Sequence, residues 1–245
     1  MKPTVSIIIP FYNCTFIAQA INSALKQTYH NIEIIVVDDG STREVERIQP
    51  FRNRIIYIRK VNGGTATALN EGIRRAKGEY ISWLSSDDYF LPGKIEMQLH
   101  FMMNHRAKAS FHNYDFVNEA NEVVLPFNGR RFHNAWEVNR SFLNQNPVNG
   151  CSVMLHREVF SKVGYFSANL KFTQDYEMWY RLLLNGFQLF YLDEVLLKYR
   201  THGQSGTSQN PAQIKREIFF VRHHYNRRMR HYLHQHGAYL KAITF

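Results

Sequence analysis

Four apolar runs in the first ninety residues each end in a cluster of polar groups, and this repeated unit restricts the fold more than any other feature. Val5–Ile9 leads to Tyr12-Asn13, and Ile32–Val37 leads to Asp38-Asp39-Gly40-Ser41. Ile55–Ile58 leads to Asn62-Gly63-Gly64, and Tyr80–Leu84 leads to Asp87-Asp88. Helical spacing fills the gaps: Ile17, Ile21, Ala24 and Leu25 in Phe16–Lys26, a short stretch at Thr42–Gln49, and Ala66, Leu69, Ile73 and Ala76 in Thr65–Lys77. Continuous apolar strands separated by helices predict an α/β fold with a mostly parallel central sheet covered on both faces. Such sheets bind ligands beyond the carboxyl ends of their strands, where the four polar clusters fall.

The second half is less regular. Lys94–His105 reads as a helix with Ile95, Leu99, Met102 and Met103 inward, and Ala109–Val117 as a strand. Glu122–Asn134, with Pro126 and Gly129, reads as a loop or hairpin. "NPVNGCSVML" leads into a strand, and "HREVFSKVGYF" reads as a short helix closed by Gly164. Gln174–Asn185 is a strong helix with Trp179, Leu182 and Leu183 inward. Phe187–Leu192 and Val195–Tyr199 read as two short strands. The loop-like "THGQSGTSQNP" precedes a basic tail, so the expected division is 1–206 and 207–245, with the first part splitting into halves 1–105 and 106–206.

Charge is concentrated in that tail. Of a formal net +10, residues 207–245 carry +6, from seven Lys and Arg against the single acid Glu217. Ile214, Ile218, Val221, Tyr225, Met229 and Tyr232 share one helical face, and Arg216, His223, Arg227, Arg230 and His234 share the opposite one. This predicts a C-terminal helix packed on the domain with a solvated basic face. The same face suits peripheral contact with anionic lipid headgroups. The two cysteines, Cys14 and Cys151, have no metal-ligand or disulfide spacing. With no long apolar run, the chain is expected to be cytoplasmic, or peripheral on the cytoplasmic membrane face.

Each polar cluster has a plain reading beside a chemical one. Asp87 or Asp88 could cap the helix that follows Pro92, but capping accounts for one acid and not for two beside Ser85-Ser86. A divalent cation would offset the repulsion of both. Asp39 lies in a glycine turn, or else bonds a base or ribose, with Tyr12 stacking on the base. Asp175 at the start of the Gln174 helix suits the helix dipole, or else serves as a general base. His202, in a Gly/Ser-rich loop after a strand, is able to bind a metal.

Together, "VSIIIPFYN", "IEIIVVDDGS", "NGGTATALNEGIRRAKGEYISWLSSDD", "FTQDYEMWYRL" and "YRTHGQS" resemble, in order and spacing, family 2 glycosyltransferases of the GT-A fold, over roughly Val5–Ser205. The resemblance implies an inverting enzyme using a nucleotide-diphosphate sugar, most simply a UDP-sugar, a divalent metal (Mn or Mg), and a glycan or lipid-linked acceptor in polysaccharide synthesis. It implies nucleotide and donor contacts from Pro10, Tyr12, Asp39, Asn62, Gly64 and Asp87. It further implies metal or diphosphate contacts from Asp87, Asp88 and His202, and a catalytic base in Asp175. Asp88 is expected on the metal and Asp87 nearer the ribose. Three positions depart from the family pattern: Ser85 replaces the first acid of Asp-x-Asp-Asp, Gln174 replaces a Glu before the base, and Leu69 replaces an Arg, which bears on nucleotide preference.

Other classes fit less well. A nucleotidyltransferase that makes sugar nucleotides would carry a Gly-rich basic loop where "IPFYNCTF" stands. A non-catalytic nucleic-acid binder would leave the clustered acids unexplained, so no specific nucleic-acid contact is expected. A dinucleotide-binding dehydrogenase would show G-x-G-x-x-G after the first strand.

Overall fold

The computed structural model describes residues 2–126 and 130–245. A nine-stranded sheet runs through the molecule in the order β3-β2-β1-β4-β8-β6-β9-β5, with β7 paired to β6. Its first section comprises β1 (Val5–Phe11), β2 (Ile32–Asp38), β3 (Ile56–Arg59) and β4 (Tyr80–Trp83), all parallel. β8 (Met154–His156) runs antiparallel to both β4 and β6 (Ala109–Val117), so β6 points the same way as β4. β9 (Leu189–Arg200) is parallel to β6, and the two-residue β5 (Tyr89–Phe90) closes the far edge antiparallel to β9. The carboxyl ends of β1, β2, β3, β4, β6 and β9 therefore all lie at one edge. From β1 the connections step outward to β2 and β3, then jump to β4 on the opposite side. The crevice between β1 and β4 is thus a topological switch point.

The helices follow the apolar spacing. α1 (Ile17–Leu25) buries Ile17, Ala20, Ile21 and Ala24. α2 (Thr65–Arg75) lies so close to β1 that a Cβ on Gly72 would come within 2.4 Å of Ile8 Cγ2. Leu69 on α2 is in the core, so the side chain standing in place of the family's Arg faces away from solvent. α3 (Lys94–Asn104) starts from Gly93 without a side-chain cap, so neither Asp87 nor Asp88 acts as its N-cap. Met103, expected inward, is exposed at the end of α3.

Other elements differ from the sequence expectation. Val45–Phe51 forms a 3-10 turn containing Pro50, whose missing N–H does not support a longer α-helix. The two strands expected after residue 187 are one strand, β9, from which Asp193 and Glu194 bulge out of the ladder with β6. Within the expected loop 122–134, Val123–Leu125 forms β7; positions 127–129, including the expected turn residue Gly129, lie outside the described residues. α4 (Ala135–Ser141) is an additional helix, capped by Asn134 Oδ1 accepting from Glu137 N. α5 (Glu158–Val163) ends at Gly164 in the left-handed region, and α6 (Gln174–Leu184) is the expected strong helix. After the single turn α7 (Gly206–Gln209), the tail forms α8 (Pro211–Ala242), which packs on α4 and α6. Val221, Tyr225, Met229 and Leu240 of α8 are buried, while Arg216, His223, Arg227, Arg230 and His234 are exposed, as the spacing predicts.

Candidate active site

Three groups of polar side chains meet the carboxyl edge of the sheet. The first joins β1, β2 and α2. Asp39 is buried, and its carboxylate accepts from Gly63 N (3.0 and 3.1 Å), Gly64 N (2.7 Å) and Lys60 Nζ (2.5 Å). Asn62 Nδ2 donates back to Asp39 O at 2.9 Å. Gly64 takes φ +86° at the N-cap of α2, a backbone that a side chain would strain. Asp39, Asn62 and Gly64 thus form one rigid loop with an exposed helix start. Asn13 stitches it to β1, its Oδ1 accepting from Thr42 N and Arg43 N. Tyr12 stands beside this loop with 54% of its surface free. Pro10 is buried in β1 just beyond the point where β4 diverges, on the side where Ile8 O accepts from Leu84 N, so its lack of an N–H breaks no ladder bond.

The second group is the acid pair, in the turn between β4 and β5. Asp87 Oδ2 lies 3.1 Å from His202 Nε2. Asp88 is buried, with Oδ1 accepting from Arg200 N at 2.8 Å and the Cys151 thiol close enough to its carboxyl to lower its pKa, while Oδ2 makes no well-formed hydrogen bond among the described residues. Burial, followed by the neighbouring Asp87 charge, holds the Asp88 carboxyl well above the ordinary range. Ser85, where the family has its first acid, contacts Cys151 Sγ through both N (3.2 Å) and Oγ (3.1 Å).

Arg200 organises this region and was not singled out from the sequence. It is buried at the end of β9 and stacks 4.2 Å over the ring of Phe16. Its Nε donates to Asp87 O, one terminal nitrogen to Asn118 O, and the other to Gln19 Oε1 and Asn121 Oδ1. The signal available was its place in "YRTH", a charged residue at the end of an apolar strand whose direction brings it to the acids.

The third group comes from the second half of the chain. Asp175, in the first turn of α6, accepts from Tyr176 N at 2.7 Å and from Asn146 Nδ2 at 3.2 Å. Asp175 is half-buried, and desolvation by the surrounding chain raises its pKa to about 6 against those stabilising bonds. It makes no hydrogen bond to Asp87, Asp88 or His202, but Asp88 and Asp175 both raise the pKa of the Tyr114 phenol, placing both within electrostatic reach of one ring. Asn146 had no sequence signal beyond its place in "NPVNG".

The geometry therefore provides a rigid loop with exposed backbone, a carboxylate pair with an imidazole, and a separate carboxylate able to hold or release a proton near neutrality. Residues 6–164 match the model of Glycosyl transferase family 2. The chain belongs to that family. An uncharacterized glycosyltransferase of Rickettsia typhi is 37% identical over 220 residues, covering 87% of this chain and 69% of the relative. TuaG of Bacillus subtilis, assigned by name to teichuronic acid biosynthesis, is 31% identical, covering 90% and 87%. WfaP of Escherichia coli, named UDP-Glc:alpha-D-GlcNAc-diphosphoundecaprenol beta-1,3-glucosyltransferase, is 32% identical, covering 87% and 83%. A crystal structure of S. aureus TarS in complex with UDP-GlcNAc superposes with a TM-score of 0.70 at 21% identity. That match covers 84% of this chain but only 60% of the TarS chain, and it establishes the GT-A type of fold. The family 2 protein described here is a glycosyltransferase, with relatives in cell-surface polysaccharide synthesis.

Proposed function

We propose that this glycosyltransferase moves a sugar from a UDP-sugar to a hydroxyl of a lipid-linked glycan, with inversion and with Mn or Mg on the donor diphosphate. The observation that carries the reading is that Asp88, from one half of the chain, and Asp175, from the other, both act electrostatically on the Tyr114 phenol of β6. Asp175 takes the proton from the acceptor hydroxyl. The oxygen then forms its bond to the anomeric carbon as the bond to the diphosphate oxygen breaks on the opposite face, and UDP leaves. With a pKa of about 6, Asp175 is ionised and still basic enough for this step near neutral pH. Tyr12 offers a face for the base, and the Asp39–Gly64 loop with Asn62 and Pro10 walls the nucleoside side. The UDP assignment draws on the donor in WfaP's name and on the ligand in the TarS crystal.

The residues fit a divalent cation. Asp88 Oδ2 is buried without a well-formed hydrogen bond among the described residues, and Asp87 Oδ2 faces an imidazole nitrogen. Among the described residues no three such side chains stand together as a metal-holding group. Mg and Mn take one or two carboxylates and complete their shells with phosphate oxygens and water, so Asp87 and Asp88 would hold such an ion together with the donor diphosphate. When bound, the ion would neutralise the charge that develops on the departing diphosphate. Asp87, Asp88 and His202 are the residues to hold it, with Arg200 fixing the turn that carries the two acids.

A thermal-shift comparison of UDP, dTDP and GDP, each with and without Mn, tests donor and metal together. At a hundredfold excess over Kd a ligand adds about 2.7 kcal/mol, which raises Tm by roughly 5–10 °C in a protein of this size. UDP with Mn is expected to give that shift and UDP alone a smaller one. If none of the three nucleotides stabilises the protein, the donor reading is wrong.

The lipid-linked acceptor calls for contact with a bilayer, and the outer face of α8 is suited to it. Glu217, the only acid in 207–245, is turned inward, so the exposed face carries cations alone, flanked by Phe219 (72% exposed) and Phe220 (59% exposed). No helix among the described residues is long and apolar enough to cross a membrane. The protein is expected to sediment with vesicles containing phosphatidylglycerol and not with pure phosphatidylcholine, and the double change F219A/F220A is expected to weaken that binding. Equal recovery on both vesicle types at low salt would remove the contact from the proposal.

A further inference from the structure

We infer that Glu217, on α8, is a positioning residue for Asp175 and makes the C-terminal helix part of the catalytic apparatus. α6 begins after Thr173, whose side chain caps none of the helix's free N–H groups. A helix start normally needs such a cap. Here a distant carboxylate holds the segment leading into it. Glu217 Oε2 accepts from Phe172 N (2.9 Å), Thr173 N (3.0 Å) and Thr173 Oγ1 (3.1 Å), and Oε1 accepts from Lys171 N (3.2 Å). Gln213 Nε2 supplies a further bond to Oε1 at 3.1 Å.

The chemistry of this contact is selective. Glu217 lies in a segment with seven Lys and Arg, yet no ion pair to any of them forms, and its carboxylate is buried against backbone amides instead. A buried carboxylate carries a large desolvation cost that only several well-placed donors offset. Those donors fix residues 171–173, two positions ahead of Asp175. One turn further along α6, Tyr225 of α8 donates to Glu177 Oε1 at 2.6 Å, and Tyr180 donates to Asn226 Oδ1 of α8 at 2.6 Å. α8 therefore grips both sides of the turn that presents Asp175, setting its depth of burial and its reach toward Asn146 and the Tyr114 ring.

This inference rests on Asp175 being the base, and the test keeps the two ideas apart. Full-length E217Q and E217A proteins are compared with the parent by calorimetry for UDP with Mn and by carbon-13 NMR titration of the Asp175 carboxyl. The UDP affinity should stay within about twofold, since the nucleotide groups lie on other elements. The Asp175 midpoint should move down from near 6 toward the ordinary Asp range as the loosened turn admits water, less in E217Q than in E217A because Gln keeps one acceptor oxygen. A parental Asp175 titration in E217A overturns the inference, and so does a parallel loss of UDP binding, which would mark Glu217 as a general structural support. Should E217A fail to fold, the isosteric E217Q decides by the same titration. Separately, Asp175→Asn that releases UDP from its donor at the parental rate overturns the base reading, whatever the Glu217 variants show.

Discussion

At the scale of single residues, the proposed mechanism depends on two carboxylates, Asp88 and Asp175, held in unfavourable surroundings. Burial pushes the Asp175 carboxyl up from the ordinary Asp range to about 6. Transfer should therefore rise with pH through about 6 and be lost below it, a profile measurable as kcat against pH. The stability effect has the opposite sign. Between pH 4 and 6 the folded chain holds a proton that the unfolded chain has released, so stability from this residue is full below about 4 and lost as pH rises through 6. Asp175→Asn should abolish transfer, keep UDP binding, and gain Tm relative to the parent as pH rises from 4 to 7. His202→Ala leaves Asp87 Oδ2 without its imidazole, and should reduce the Mn-dependent part of the UDP thermal shift. The sequence showed where these acids lie because charged pairs at strand ends are conspicuous. It did not show that Asp88 turns inward and Asp87 outward, because that division is set by Arg200, 112 positions away in the chain.

At the scale of elements, two contacts set how the layers meet. Gly72 lets α2 lie against Ile8 of β1, and Gly72→Ala should cost about 1–3 kcal/mol through overpacking, read from urea unfolding. Arg200 ties the end of β9 to α1, to the β6–β7 turn and to the acid pair. Arg200→Lys keeps the charge but loses the planar spread of donors, and should cost about 3 kcal/mol while weakening UDP–Mn binding. The first four strands were legible because each is a continuous apolar run between helical repeats. β9 was read as two strands because Asp193 and Glu194 interrupt its apolar pattern, although they only bulge while the ladder continues. β5 was missed because two residues carry no periodicity, and α4 because its Asn134-to-Glu137 capping pattern falls in a segment without a long apolar face.

At the scale of the whole molecule, packing joins the C-terminal helix to the sheet. One hydrophobic cluster includes Ile8 of β1, Leu155 of β8 and Val221 of α8, so parts distant in sequence share one core. The amphipathic pattern of the tail gave its inner face correctly, but spacing could not reveal that α4 and α6 lie beneath it or that Glu217 bonds the start of α6. Removing residues 211–245 should expose the apolar faces of α4 and α6 and yield a protein with a broadened, lower melting transition by calorimetry. The position of β9 has a further consequence, for the order in which the chain acquires structure during synthesis. A ribosome releases the β1–β4 units long before Arg200 exists to receive Asp88, and contacts this distant in sequence form late. Until its last quarter emerges, the nascent chain therefore carries the acid pair on an open sheet edge, without the backbone donor that holds Asp88 in place. A stalled nascent chain ending near residue 180 should accordingly be far more open to proteolysis in the turn at Asp87 than one extended past His202.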